Sequence, residues 1–326
     1  MADRHRGPRL WGAVALMALL SVVLFWVVGF LPWVLGGFVL PAVQATGPAA
    51  GLAGVRLAVP LVAVRLPELV ASALVGGVLA GIVPIAFPRL SRLLGVVVTG
   101  SIVLATTSTV LAASRRSLEQ HASSEFAADG RVVQGLVLVV VCAAMLGLAV
   151  GLAATVRHGL VAVAAGLVAA VLPVWLAAFP VPVPGPAGQA LAAVALAVGL
   201  VVSVHRTAWS ALLWPVGLAL AWLGAPLAAG AGYGADRLRP GGEAGAGSLL
   251  RGALDAATAK LDPGAQPWWP WALAVVLAVA VLPVARVRRG RRGPGEPQAE
   301  VSVPRPRGPG TSVSPARGKH TATRRG

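Results

Sequence analysis

The stretch Glu68–Ser114 reads ELVASALVGGVLAGIVPIAFPRLSRLLGVVVTGSIVLATTSTVLAAS. It contains two uncharged apolar runs, Leu69–Pro88 and Leu93–Ser114, joined by the short link Arg89–Arg92. As helices, these runs of about 20 residues are about 30 Å long, which is the thickness of a bilayer's hydrocarbon core. The stretch therefore predicts a transmembrane helical hairpin.

The composition of the whole chain agrees with this hairpin. Hydrophobic residues make up 57% of the chain and charged residues 12%, whereas soluble domains are about 25% charged. We therefore predict an all-α, polytopic transmembrane bundle with no separate soluble domain. The absence of Asn and the abundance of Ala, Gly, Val, Arg and Pro are typical of a GC-rich bacterial genome, so the expected location is a bacterial plasma membrane.

The apolar runs predict eight spans within a transmembrane domain at 10–285. The first run continues past residue 30, beyond the 7–15 residues of a signal peptide, so an uncleaved first span follows the short segment 1–9. The segment 32–67 is broken by prolines, and we place it outside, with its entry into the membrane left open. The spans are expected at about 10–31, 69–88, 93–114, 132–156, 159–179, 188–204, 207–229 and 268–285.

Basic residues predict the orientation of these spans. Arg89 and Arg92 occupy a short link, and basic residues in short links stay in the cytoplasm. Counting spans in both directions from that link places the N-terminus and the C-terminus inside. Arg157 and Arg206 then fall at the other two inner joints, as the same rule requires.

The C-terminal stretch 286–326 is predicted to be a disordered basic tail. It holds ten Arg, one Lys and two Glu, and so carries +9 of the net charge of +16. Charge concentrated beside a membrane span favours anionic lipid as a partner over nucleic acid. The residues expected to contact anionic lipid are Arg286, Arg288, Arg289, Arg291 and Arg292.

Chemistry-bearing residues are sparse within the spans. None of the eleven acids lies inside a predicted span, and only Glu68 touches one, where we expect a solvated acid at a helix start. The single cysteine, Cys142, is expected to be a buried thiol. No metal-ligand spacing, phosphate-binding loop or nucleophile motif occurs. We assign no catalytic, cofactor-binding or metal residue and expect a non-enzymatic protein.

Small residues recur at helical spacing in two spans. Gly77 and Gly81 follow Ala73, and Gly147 and Gly151 follow Ala143. Small side chains allow helix backbones to approach closely in lipid, so both faces are expected to be buried between helices. The third span also carries hydroxyl groups all around its helix, which favours interhelical hydrogen bonding over a polar pathway: Thr99, Ser101, Thr106, Thr107, Ser108 and Thr109.

One segment outside the spans has a helical pattern. Ser248–Asp262 begins with a helix-capping residue, and Pro263 ends it. Leu250, Leu254 and Leu261 recur on one helical face. We predict an amphipathic helix whose apolar face rests on the outer membrane interface or on the ends of the spans.

Two functional hypotheses follow. The first is a multi-pass membrane protein with a structural, regulatory or assembly role, supported by the lack of ionisable residues at membrane depth. The alternative is a permease-like transporter or flippase for an apolar or neutral substrate, which needs no buried charge. A membrane-protein partner, self-association and an internal repeat, suggested by the similar joints at 156–158 and 204–206, stay open.

Overall fold

A computed structural model describes residues 6–39, 61, 63–87, 90–121, 130–181, 183–204, 208–237, 246–262 and 264–291. These ranges are helical with short connections and contain no strand, which confirms the all-α prediction. Residues 1–283 form one compact unit and residues 284–326 a second.

Ten α-helices occur in the described residues, with short stretches of tighter or wider helix beside them. A π-helical segment, Leu24–Gly29, follows α1, and 3₁₀ turns at Val83–Ala86 and Ala208–Leu213 follow α3 and precede α8. The helices are α1 Arg6–Val23, α2 Leu31–Val39, α3 Leu66–Ile82, α4 Arg92–His121, α5 Gly130–Val156, α6 Leu160–Ala177, α7 Gly185–Val204, α8 Trp214–Arg237, α9 Ala246–Ala259 and α10 Trp269–Arg291.

Seven helical segments among the described residues are long and apolar enough to cross a membrane. They match the first seven predicted spans and give the chain the architecture of a multi-pass membrane protein. The apolar part of α10, Trp269–Pro283, is shorter, so the eighth span stays a prediction. The orientation of the spans stays a prediction as well. The seven segments are Leu10–Gly29, Leu66–Ala86, Leu93–Arg116, Val132–Val156, Leu160–Ala177, Gly185–Val204 and Trp209–Arg237.

Several helices extend beyond the apolar runs that predicted them. α3 begins at Leu66, α4 continues to His121, and α10 continues to Arg291 through the start of the predicted tail. A backbone helix persists past the apolar run because its hydrogen bonds do not depend on hydrophobic side chains. The predictions for residues 40–60 and 292–326 lie outside the described residues.

The predicted hairpin is present between α3 and α4. Ser91 caps α4, since its hydroxyl oxygen accepts a hydrogen bond from the Leu94 amide at 3.2 Å. A side chain in this position satisfies one of the backbone N–H groups that a helix start leaves unpaired. Ser91 of the polar link therefore begins α4, whereas α3 ends before the link, at Ile82.

Two groups of helices surround two apolar cores within residues 1–283. The first core, with Phe25, Leu69 and Val140 among its buried residues, lies between the π-helical segment Leu24–Gly29 and the helices α3, α4 and α5. The second, with Leu196 and Ala274, lies between α6, α7, α8 and α10. The proposed repeat stays untested, because residues 205–207 lie outside the described ones.

The predicted small-residue faces meet each other between α3 and α5. A β-carbon placed on Gly147 would lie 2.5 Å from the Leu74 carbonyl oxygen, and one on Gly151 would lie 2.5 Å from that of Val78. Backbone contact of this kind drives helix association in lipid, where apolar side chains gain nothing from leaving the solvent. The prediction that both faces are buried between helices is confirmed.

A second interface of the same kind joins α6 to α8. A β-carbon on Gly217 would lie 2.5 Å from the Ala162 carbonyl oxygen, and one on Gly224 would lie 2.6 Å from the Ala170 α-carbon. In both interfaces the residue numbers of the contact positions increase in the same direction along the two helices, so each pair is parallel. Each parallel pair therefore skips the helix between its members in sequence, α4 in one case and α7 in the other.

Hydroxyl groups of α4 join it to the first helix. The Ser21 and Thr99 hydroxyl oxygens lie 3.3 Å apart, and the Trp26 indole N–H donates to the Thr106 hydroxyl at 3.2 Å. These bonds support the interpretation that the hydroxyl groups serve packing. Thr107 differs from them, because its buried hydroxyl has no hydrogen-bond partner among the described residues.

The prediction for Cys142 is wrong. Its side chain is exposed, although it lies within the apolar run of α5. Ala143, the next residue, is buried with Gly147 on the face that contacts α3. Neighbouring helix positions point about 100° apart, which turns Cys142 towards the outside of the bundle. Hydropathy did not distinguish these faces, because both are apolar.

The amphipathic helix is present as α9, but its contacts differ from the prediction. Ser248 lies in the first turn and is not the cap, since the helix begins at Ala246. The small residues contact α8: Gly252 touches the Tyr233 ring, and Gly230 of α8 lies close to Ala253. The leucines face away from the protein, and Leu254 is 55% exposed, so they do not rest on the ends of the spans. Their position in the membrane interface stays a prediction. Gly and Ala residues form this contact because their small size allows the two helices to approach more closely.

Candidate functional site

The first turn of α3 carries Glu68, one of the acids found in the apolar helices of the described residues; others lie near the ends of α4 (Glu119) and α8 (Asp236). Glu68 is in that first turn, after Pro67, where a proline's missing N–H and an acid's negative charge both suit a helix start. The Glu68 side chain is only 20% exposed. The expected helix-start acid is thus present, but the expectation that it is solvated is wrong.

Only one of the two oxygens of the Glu68 carboxylate has a hydrogen-bond partner among the described residues. Its Oε1 atom accepts a hydrogen bond from the Arg65 guanidinium at 3.0 Å, while Oε2 is buried and has no hydrogen-bond partner among the described residues. An ionised carboxylate can accept about four hydrogen bonds, and burying one without them is costly. Among the described residues, Oε2 is therefore covered by the protein without a hydrogen-bond donor beside it.

Arg65 and Ser72 connect this acid to α2. The Arg65 guanidinium lies 5.8 Å from the centre of the Trp33 ring, within the range of a cation–π contact. The indole N–H of Trp33 donates to the buried Ser72 hydroxyl one turn further along α3. The Arg65 side chain is nevertheless 41% exposed. Arg65 therefore contacts both Glu68 and the Trp33 indole, and part of its side chain is still exposed.

The π-helical segment Leu24–Gly29 ends beside this cluster. A π-helix inserts an extra residue into a turn and leaves backbone groups free for other partners. The Gly29 carbonyl oxygen accepts a hydrogen bond from the Trp175 indole at 2.6 Å, and a β-carbon on Gly29 would lie 2.5 Å from the Gly76 α-carbon. The π-helical segment, α3 and α6 therefore meet at Gly29.

Aromatic rings form the apolar wall of this region. Trp26 stacks on Phe30 with their ring centres 4.8 Å apart, and Phe25 meets Trp26 edge to face at 5.1 Å. Offset and edge-to-face arrangements are the favoured geometries of aromatic pairs. Phe25 and Phe30 belong to the same buried core as Leu69, the residue after Glu68. The acid therefore lies at the edge of an apolar, aromatic core.

The cluster of Arg65, Glu68, Trp33 and Ser72, which we call the acidic site, is suited to binding. A buried carboxylate oxygen, a partly exposed guanidinium and an indole can recognise a polar group that approaches from the side of the bundle. The described residues contain no group of three or more His, Cys, Asp or Glu side chains that could hold a metal ion. Nor does any nucleophile lie hydrogen-bonded to a base at this site, as nucleophilic catalysis would require.

The sequence indicated only part of the acidic site. Glu68 stood out as an acid at a span edge, and Arg65 precedes it at i,i+3 spacing, at which helix side chains meet. Trp33 and Trp175 are distant in sequence, so no local pattern could have placed them here. Partner choice between helices is a long-range property that the periodicity of one helix does not contain.

The residues predicted to contact anionic lipid lie in and after α10. The backbone of Arg286, Arg288, Arg289 and Arg291 is helical, and Arg292 lies outside the described residues. Their lipid contact stays a prediction. Comparison of the chain with protein-family models, with curated proteins and with solved structures finds no match in any of the three.

Proposed function

We propose that this protein is a non-enzymatic membrane scaffold that holds a membrane-protein partner in an assembly. The observation that supports the proposal most directly is the backbone contact between α3 and α5. α3 is also the most buried of the seven apolar helices, with 67% of its apolar stretch buried against 44% or less for the others. A core held by glycine contacts suits a rigid support better than a structure whose helices must separate.

The acidic site is the point at which we expect the partner to bind. It lies at the start of the most buried helix, so a partner bound there is positioned by the rigid part of the bundle. Glu68 offers a buried carboxylate oxygen, and Arg65 offers donors that one carboxylate oxygen does not exhaust. A partner helix that carries a hydroxyl, amide or basic side chain at this depth would make further hydrogen bonds with this pair of residues.

The proposal includes the topology and location inferred from the sequence. Eight spans with both termini in the cytoplasm of a bacterial cell are supported by the basic link at Arg89–Arg92 and by the five arginines at 286–292. Anionic lipid at the basic tail is part of the same proposal. Nothing in it requires nucleic acid or a cofactor.

Co-purification with site variants tests the proposal. We would isolate the full-length protein from native membranes in lipid nanodiscs, as the wild type, as E68Q and as D255N, which changes an exposed acid on α9. The expected result is a membrane protein that accompanies the wild type and D255N in fixed ratio and is lost from E68Q. Thermal unfolding of the three proteins controls for loss of fold. An unchanged ratio in E68Q would refute binding at the acidic site.

A second candidate function is transport of an apolar or neutral substrate. The observation that favours it is the π-helical segment Leu24–Gly29, since such segments occur frequently at functional sites and allow a helix to change register. Reconstitution into liposomes with a fluorescent lipid analogue, followed by quenching from outside, measures this activity. Lipid exchange between leaflets above that of protein-free liposomes would favour transport over the scaffold.

A further inference from the structure

A lateral groove separates α4 from α5 near the end at which α4 leaves its apolar span. The groove has a volume of about 360 Å³. α4 packs mainly on α1 through Ser21 and Thr99, while α5 packs on α3 through glycines. Because each helix has its closest contacts with a different neighbour, the space between α4 and α5 stays open to the side.

The lining of this groove changes from charged to apolar along its length. Arg115 and Gln134 lie where the span of α4 ends and that of α5 begins. Ser108 lies two turns further in, about 10 Å away at 1.5 Å per residue. Leu111 and Leu138 line the space as well, and Leu138 is exposed to the outside of the bundle. A positive group at the rim with an apolar floor is the complement of an anionic amphiphile.

We propose that this groove is a binding site for one anionic phospholipid. Arg115 binds the lipid phosphate, because guanidinium groups bind phosphate through two parallel hydrogen bonds. Arg115 already has a partner within the protein, but its five N–H donors allow it to serve both. The Gln134 amide at the rim reaches the polar ester region, and the first acyl carbons lie further in, on Leu111 and Leu138.

The charge at the rim of the groove favours a lipid over a second copy of the chain. An apolar helix face would offer no acceptor to the remaining N–H donors of Arg115. A lipid phosphate accepts hydrogen bonds from them.

Native mass spectrometry of the full-length protein tests this site. We would add phosphatidylglycerol or phosphatidylcholine to the wild type, R115Q and R116Q; Arg116 is the neighbouring, exposed arginine and provides the matched control. The expected result is that the wild type and R116Q retain one phosphatidylglycerol more tightly than phosphatidylcholine, and that R115Q binds it about tenfold more weakly. Any lipid bound at the basic tail is common to all three proteins and cancels in the comparison.

A second variant covers the case in which R115Q does not fold. A112W fills the groove from an exposed position on its lining without altering Arg115, and it should lose the same lipid. Full retention of the tight phosphatidylglycerol by A112W, or by a folded R115Q, would overturn the proposal. Equal binding of the two lipids by the wild type would overturn it too. So would a disulfide between two copies through the exposed Cys142, one turn from Leu138 on α5, because that result places a second copy over the groove.

Discussion

Gly77 of α3 and Ala144 of α5 meet so closely that a β-carbon on Gly77 would lie 2.5 Å from the Ala144 carbonyl oxygen. Backbone atoms occupy that position, so no side-chain rotation could make room for it. The interface therefore tolerates no side chain at this point. The close approach of α5 to α3 depends on the absence of a β-carbon at Gly77.

Replacing Gly77 by Ala should destabilise the protein by roughly 1–3 kcal/mol, the usual cost of forcing extra volume into a packed interior. The measurement is thermal or denaturant unfolding in a defined detergent. G100A is the matched control, because nothing lies within 4 Å of a β-carbon at Gly100 of α4, and Ala is a better helix former than Gly. Equal stabilities of G77A and G100A would contradict the close approach of α3 and α5.

The topology can be checked with reporter fusions that are active on only one side of the membrane. Fusions at Ser91, Glu125, Arg206, Gly241 and Gly293 should report inside, outside, inside, outside and inside. The expectation rests on basic residues staying in the cytoplasm. An outside signal at Ser91 or at Gly293 would refute the predicted orientation, and an outside signal at Gly293 alone would remove the eighth span.

The leucine face of α9 should lie in the outer interface of the bilayer. Leu250 and Leu254 are 63% and 55% exposed, and the exposed rings of Trp268 and Trp269 are typical of a membrane interface. In a variant with Cys142 replaced by Ser, a spin label at Leu254→Cys should collide mainly with oxygen, which concentrates in lipid. A label at Asp255→Cys should collide mainly with a water-soluble nickel complex. Identical behaviour of the two labels would show that α9 does not lie in the interface.

The basic stretch 286–292, at the end of α10, should bind anionic membranes. At about 1 kcal/mol for each arginine near the surface, replacing one of them by Gln should weaken binding of a peptide 286–326 to phosphatidylglycerol vesicles about fivefold. Arg289→Gln tests the cluster, and Arg317→Gln, far along the tail, is its control. Equal binding of the unaltered peptide to neutral and anionic vesicles would refute the prediction.

Local sequence patterns predicted the helices and one of their interfaces. Gly77 and Gly147 belong to runs of small residues at four-residue spacing, so their burial followed from the helical repeat. The contact between Gly166 and Gly217 was not predicted, although Ala162, Gly166 and Ala170 and Gly217, Ala221 and Ala225 follow the same four-residue spacing. Which helix a glycine meets depends on the arrangement of the whole bundle.

The acidic site was only partly predictable for the same reason. An acid at the end of an apolar run was visible in the sequence, and solvation is the usual state of such an acid. The Glu68 side chain is instead covered, while its Arg65 partner lies over Trp33 of another helix. Hydropathy measures how much a residue avoids water, and it contains no information about which residues cover it.

The parallel pairing of α3 with α5 has a consequence for synthesis in the cell. When helices enter the membrane in chain order, α4 is inserted before α5 takes its place on α3. Until then the glycine face of α3 is in contact with lipid alone. In a chain interrupted after α4, the glycine face of α3 therefore has no α5 packed against it. This exposed face distinguishes an unfinished protein from a finished one and is a feature that membrane quality control can recognise.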